Sequence, residues 1–167
     1  MLRLVIILFL GIVFLSSANG QNKIEKLIPK EPIGWVSDFE NVFTPSQIQI
    51  LDSIILDHSL EKGNQVAIVT LSLDSVSINS LEEFEKLSLS LFNQWGIGQK
   101  GLNNGVAIIF CRNLRMIRIE VGRGLEIKLT NNDAKLIIDN IIIPEFRRAN
   151  YYEGVLQGLQ QIIKEIQ

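Results

Sequence analysis

Gly105-Val-Ala-Ile-Ile-Phe-Cys111, followed by Arg112-Asn-Leu-Arg115 and Met116-Ile-Arg-Ile-Glu-Val121, is the stretch on which the fold turns. Its first part is apolar throughout, rich in β-branched side chains, and shows no alternation. That pattern predicts a strand buried on both faces, in the middle of a sheet. The last part alternates: Ile117, Ile119 and Val121 are placed to face a core, Arg118 and Glu120 to face outward. The intervening Arg112–Arg115 segment suits a turn, so the two strands are predicted to form a hairpin. A strand buried on both faces needs covering layers, and the flanking sequence supplies them.

Upstream, Thr44-Pro-Ser-Gln47 reads as a helix start, with threonine at the N-cap, proline in the first turn and glutamine three residues after the cap. Ile48, Leu51, Ile54 and Ile55 share one face, and Gly63 stops the helix. Val66–Leu71 is a short apolar strand. Ser80-Leu-Glu-Glu83 is a second capping box, opening a stripe of Leu81, Phe84, Leu87, Leu91 and Trp95. Downstream, Ala134, Ile137, Ile138 and Ile141 mark a helix expected to end near Pro144. Val155, Leu159, Ile162 and Ile166 mark the last one. The order is α-β-α-β-β-α-α, with a further strand expected near Trp35–Phe39. The predicted fold is therefore α/β, a sandwich of helices packed on a mixed β-sheet with a central hairpin.

At 167 residues, 47% hydrophobic and 20% charged, the chain fits one globular domain and excludes a disordered or collagen-like polymer. Residues 1–20 read as a signal peptide. Arg3 supplies positive charge, Leu4–Leu15 an apolar run, and Ala18 and Gly20 a cleavage pattern of small residues. Twelve residues of helix span roughly 18 Å, short of the ~30 Å hydrocarbon core. Export, to a periplasmic or secreted location, with cleavage near Gly20 is the expectation. Residues 21–34, with Pro29 and Pro32 among alternating charges, read as a linker, and residues 35–167 as the domain. The mature chain is expected not to span a membrane. Sixteen basic against eighteen acidic residues give a net charge of −2, which argues against nucleic acid as a partner. One cysteine and one histidine exclude an internal disulfide, a cysteine-based zinc site and two-histidine metal motifs. Cys111 is expected to be a buried hydrophobe and His58 a solvated helix residue.

Gly96-Ile-Gly98-Gln-Lys-Gly101 spells GxGxxG, but it follows a helix and leads into a strand. A dinucleotide site needs the reverse, with a helix N-terminus meeting the pyrophosphate. The hairpin is more informative. The start of its first strand lies beside the end of its second, so Gly101-Leu-Asn-Asn-Gly105 and Gly122-Arg-Gly-Leu-Glu126 must converge at one sheet edge. That edge collects Asn103, Asn104 and Glu126, oxygen donors suited to Ca²⁺ or Mg²⁺. The same residues equally suit tight turns, where glycine takes positive φ and asparagine satisfies backbone amides.

Trp95-Gly-Ile-Gly-Gln-Lys-Gly-Leu-Asn-Asn-Gly105 with Arg118-Ile-Glu-Val-Gly-Arg-Gly-Leu-Glu126 resembles the TPM-domain family. Val36-Ser-Asp38-Phe, Pro144-Glu-Phe-Arg147 and Tyr151-Tyr-Glu-Gly154 extend the resemblance in the right order. The family includes a thylakoid-lumen acid phosphatase-like protein linked to photosystem II repair, a receptor accessory protein and exported bacterial members. The resemblance implies an α/β sandwich, divalent-cation binding, and Asp38 joining Asn103, Asn104 and Glu126 as ligands. Asparagine stands at positions 103 and 150 where the family commonly has aspartate, which lowers the expected cation affinity. Ile127 replaces a family glycine. The function implied is an exported binding or accessory module maintaining envelope or membrane proteins. The alternative is a metal-assisted acid phosphatase acting on phosphomonoesters, for which no in-line nucleophile stands out. Arg147 and Arg148 suit phosphate or simply a polar helix end.

Overall fold

The computed structural model describes residues 24–74 and 76–167; the expectations for the segment 1–20 and its cleavage lie outside them. Strands β1 (Val36–Asp38), β2 (Gln65–Thr70), β3 (Gly105–Cys111) and β4 (Met116–Val121) form one open sheet in that order. The first three run parallel, and β4 returns antiparallel to β3 with Val106 opposite Val121 and Cys111 opposite Met116. The mixed sheet, the hairpin and the extra strand near residue 36 are as the sequence predicts. Every residue of β3 is buried.

Helices α1 (Pro45–Lys62) and α2 (Leu81–Trp95) precede β2 and β3. Helix α3 (Asn131–Ile137), a π-helical turn (Ile138–Ile142) and α4 (Ile143–Phe146) form one broken helix, and α5 (Tyr151–Ile166) closes the chain. Val106, Ile108 and Phe110 pack with Leu51 and Ile55 of α1 and with Val155, Leu159 and Ile162 of α5 on one face. Ala107, Ile109 and Cys111 pack with Phe84, Leu87 and Leu91 of α2 on the other. Both faces are thus covered, the condition under which an unalternating strand is stable. The strands stand in sequence order with α1 and α2 on opposite faces, so one of the two parallel crossovers must be left-handed. This departs from the usual rule. It also sends the chain leaving β1 and the chain leaving β2 in opposite directions at the carboxyl edge.

Helix α1 starts as expected: Thr44 caps Gln47 N–H, Gln47 caps in return, and Gly63 ends the helix in the left-handed region. The Ser80 box is half formed, since Ser80 accepts from Glu83 N–H while the Glu83 carboxylate accepts from Asn79 N–H instead.

Several expectations are corrected. His58 is buried, because it continues the Leu51–Ile55 stripe by one more turn. Glu120 is also buried, at 8% exposure, beneath α2 rather than facing solvent. Pro144 does not end its helix. The π turn makes the Ile143 N–H reach back to the Ile138 carbonyl, so the missing Pro144 N–H falls where the α-helical ladder is already shifted. Within residues 24–34, part of the expected linker, Ile28 and the Pro29 carbonyl contact the α2 side of the sheet. Ile28 is buried in the α2 face, and the Trp95 indole donates to the Pro29 carbonyl at 2.9 Å.

Candidate functional site

Loops gather at both ends of the strands. At the amino edge of β2 and β3, the Gly96–Gly105 and Gly122–Glu126 loops meet, as the hairpin requires. Their contact is backbone on backbone. Gly122 N–H donates to the Gly105 carbonyl at 2.8 Å and Gly124 N–H to the Asn103 carbonyl at 3.1 Å. A Cβ on Gly105 would lie 2.2 Å from the Ile97 carbonyl oxygen, and one on Gly122 would lie 2.2 Å from that of Asn103. No side chain fits at either position, so these glycines hold the loops together.

Asn103 and Glu126 are brought together: both are exposed and line one cleft of about 660 Å³, with Lys100 and Arg123 beside them. Asn103 adopts positive φ, 51°, which asparagine tolerates. Asn104 is not available. It is buried, its side-chain oxygen accepts from Gln99 N–H at 2.8 Å, and its amide donates to the Gly63 carbonyl at 2.9 Å. Gln65 similarly takes the Gly98 N–H at 2.8 Å. Two amides of the GxGxxG segment are thereby consumed internally, so the motif works as a structural clasp.

Asp38 is not part of this cleft. It pairs with Thr70, which pairs with Phe110, at the carboxyl ends of the parallel strands. The run from Gly105 to Phe110 covers roughly 17 Å at strand rise, far beyond a shared coordination sphere. Its carboxylate is engaged there: Oδ1 accepts from the Val42 N–H and the Thr70 hydroxyl, and Oδ2 from the Phe43 N–H. The expected set of Asp38, Asn103, Asn104 and Glu126 therefore reduces to Asn103 and Glu126. Among the described residues no group of three or more His, Cys, Asp or Glu is placed to hold a metal ion.

Lys100 and Arg123 were not singled out by the sequence, although both stand inside the converging loops. Two cations beside one carboxylate oppose cation binding through space. Two side-chain oxygens leave most of the six to eight positions of a Ca²⁺ sphere to water. Two such donors by themselves would leave any divalent cation largely hydrated and weakly held. Cys111 is buried at the other edge, and burial pushes its thiol above the ordinary range, as expected of a small core residue.

Comparison with known proteins agrees with this architecture. The TPM domain model matches residues 36–165. The solution structure of the N-terminal domain of a P. gingivalis protein is similar, at 29% identity over 78% of this chain and 80% of that one, with a TM-score of 0.69. The N-terminal domain of the cg2496 protein from Corynebacterium glutamicum shares the fold at 14% identity, covering 83% of this chain and 84% of that one, TM-score 0.57. The BA42 protein from the psychrophilic Bizionia argentinensis shares it at 16% identity, over 77% and 83%, TM-score 0.53. No curated protein matches the chain.

Proposed function

The chain belongs to the TPM-domain family, and from that premise we propose that it is an exported binding module whose working surface is the amino-edge cleft. Asn103 and Glu126 would hold a divalent cation there, weakly, while the domain serves envelope or membrane-protein maintenance. One observation carries this reading: two loops locked together through Gly105 and Gly122 present both oxygen donors to one cleft. The backbone clasp fixes their spacing before any ligand arrives, which lowers the ordering cost of binding. Among the described residues no helix is long and apolar enough to cross a membrane.

The test is a Ca²⁺ and Mg²⁺ titration followed by NMR and thermal unfolding, carried to about 10 mM because sites poor in charge bind at roughly 10⁻⁴–10⁻³ M. A cation that binds the folded state raises the melting temperature by mass action. Glu126→Gln should abolish that increment at nearly constant volume, and Asn103→Asp should tighten binding by adding a charge. Identical melting of all three proteins at that concentration removes the cation from the reading. Intact-mass analysis of protein from its native compartment tests the export proposal, a chain still carrying residues 1–20 being the contrary result.

A further inference from the structure

We infer that the opposite, carboxyl edge carries a second binding site, a cleft for an amphipathic anion with an oxyanion head on an apolar body. The cleft measures about 500 Å³ and lies between the β3–β4 turn and the connection from α4 to α5. Arg112 and Arg115 reach it from the turn and Arg147 from the end of α4, and its lining holds no Asp or Glu. This is a concentration of positive charge in a chain of net charge −2. Among the described residues none of the three guanidiniums has an ion pair or hydrogen bond. Two carboxylates of this edge, Glu40 and Glu145, are already engaged. Glu40 accepts the backbone N–H groups of Arg112 and Asn113 at 2.7 and 3.3 Å. Glu145 accepts from Arg148 at 2.7 Å and from the Asn150 amide at 3.0 Å. Three unpaired forks at one concavity are a recognition surface for a multi-oxygen anion.

Two further features converge on the same place. Helix α5 begins there with Tyr151 in the lining, and no side chain caps it, because Asn150 turns its amide to Glu145. The first N–H groups of this 16-residue helix therefore lack a side-chain acceptor at the N-cap, although Glu153 stands in its first turn. Four described non-glycine residues have positive φ. Two are asparagines, which tolerate it; the others, Arg115 at 54° and Ala149 at 62°, both line this cleft. A conformation unfavourable to both residue types is thus held on both sides of one concavity. Ile117, Ile143 and Phe146 complete the wall with apolar surface, which calls for an apolar body behind the anionic head. Cys111 in its lining is buried with its thiol pushed up, so the geometry supports binding rather than thiol chemistry. The inference is independent of the cation reading, whose cleft lies at the other edge.

Titration of the ¹⁵N-labelled protein with phenyl phosphate, benzoate and inorganic phosphate tests it. Shifts should localise to Arg115, Arg147 and residues 151–153. The better aromatic probe should bind at least about fivefold tighter than inorganic phosphate, through apolar burial. Whichever of phenyl phosphate and benzoate binds tighter identifies the head. Arg112→Gln and Arg147→Gln should each weaken binding by about tenfold, the scale of a charge-assisted hydrogen bond. Arg123→Gln, an equal charge change at the far edge, should stay within about twofold. Equal losses in Arg123→Gln and Arg147→Gln would mean general attraction and overturn the site. So would equal affinity for aromatic and inorganic anions, or no localised shifts up to about 20 mM, a free energy near the bottom of measurable binding.

Discussion

The Thr70 hydroxyl donates to the Asp38 carboxylate at 2.6 Å, tying β1 to β2 at the point where their onward chains part to opposite faces of the sheet. The same carboxylate takes the Val42 and Phe43 N–H groups, so one side chain both joins two strands and shapes the turn into α1. Thr70 also accepts from Glu40 N–H at 2.9 Å. The acid that family resemblance marks as a cation ligand is, in this chain, the keystone of the carboxyl edge.

Asp38→Ala should therefore destabilise the domain by about 2–4 kcal/mol, the loss of three hydrogen bonds to a partly buried carboxylate. Asp38→Asn should cost about half as much, since its amide oxygen still accepts. Neither substitution should change any response to Ca²⁺, because the proposed cation cleft is at the other end of the strands. Denaturant unfolding with and without millimolar Ca²⁺ checks both statements, and a cation response that vanishes with Asp38 would return this residue to the site.

Asp38 joins the expected ligands through family resemblance, and local pattern could not place it relative to Asn103 and Glu126. The convergence of Asn103 and Glu126 follows from hairpin topology alone, so it is legible in local pattern. The position of Asp38 depends on the direction of a three-residue strand relative to β3, and three residues encode no direction. Asn103 and Asn104 cannot be told apart by type. Only the positive φ at Asn103 sends one side chain to the cleft and the other inward to Gly63. His58 and Glu120 are invisible to hydrophobic periodicity for a related reason: periodicity assigns polar residues outward, while these two fill positions of a buried stripe and of a strand covered by α2. The strands, the Thr44 cap and the core positions of β3 were readable because each rests on contiguous sequence.

The clasp at the amino edge separates two roles of glycine. Gly122→Ala should destabilise by more than about 2 kcal/mol, since its Cβ would fall 2.2 Å from the Asn103 carbonyl oxygen and backbone must move. Gly101→Ala should cost only about 1 kcal/mol. Its φ of +87° is unfavourable to alanine, but nothing lies within 4 Å of the added carbon. Chemical denaturation ranks the two directly, and a reversed ranking would contradict the loop packing described here.

His58 sits in the core with Nε2 lacking a hydrogen-bond partner among the described residues. Burial, with Lys62 adding to it and Glu61 opposing, holds its pKa below the ordinary 6.5. Below pH 6.5 the unfolded chain takes up a proton that the folded chain refuses, so stability must fall as pH drops from 6.5 toward the folded-state value. His58→Leu should raise stability at pH 7 by about 1 kcal/mol by removing an unpaired buried polar group. It should also remove that part of the acid slope. Urea midpoints for both proteins at pH 7.5 and 5.5 give the comparison, in which the gap between variant and parent should widen at the lower pH.

Glu120 supplies the opposite sign. It lies under α2 with its carboxylate accepting from Arg118 Nε at 3.3 Å, while the same guanidinium reaches Glu85 at 3.0 Å. Burial pushes its pKa above the ordinary 4.5, with Arg118 restraining the rise and Glu85 adding to it. The folded state thus holds this proton more tightly than the unfolded state does. Its contribution to stability is complete below pH 4.5 and is lost as pH rises through the folded-state value. At neutral pH the charged form is carried at a cost that the shared arginine only partly offsets. Glu120→Gln keeps the side-chain volume and an oxygen able to accept from Arg118, while removing the charge. It should therefore leave stability at pH 7 unchanged or raised by up to about 1 kcal/mol, rather than lowering it as loss of a buried ion pair would. Relative to the parent protein, the variant should gain as pH rises from 4.5 to 7, the reverse of the His58→Leu trend. Unfolding midpoints across that interval decide the matter, and a loss of more than about 2 kcal/mol at pH 7 would show the Arg118 pair to be net stabilising.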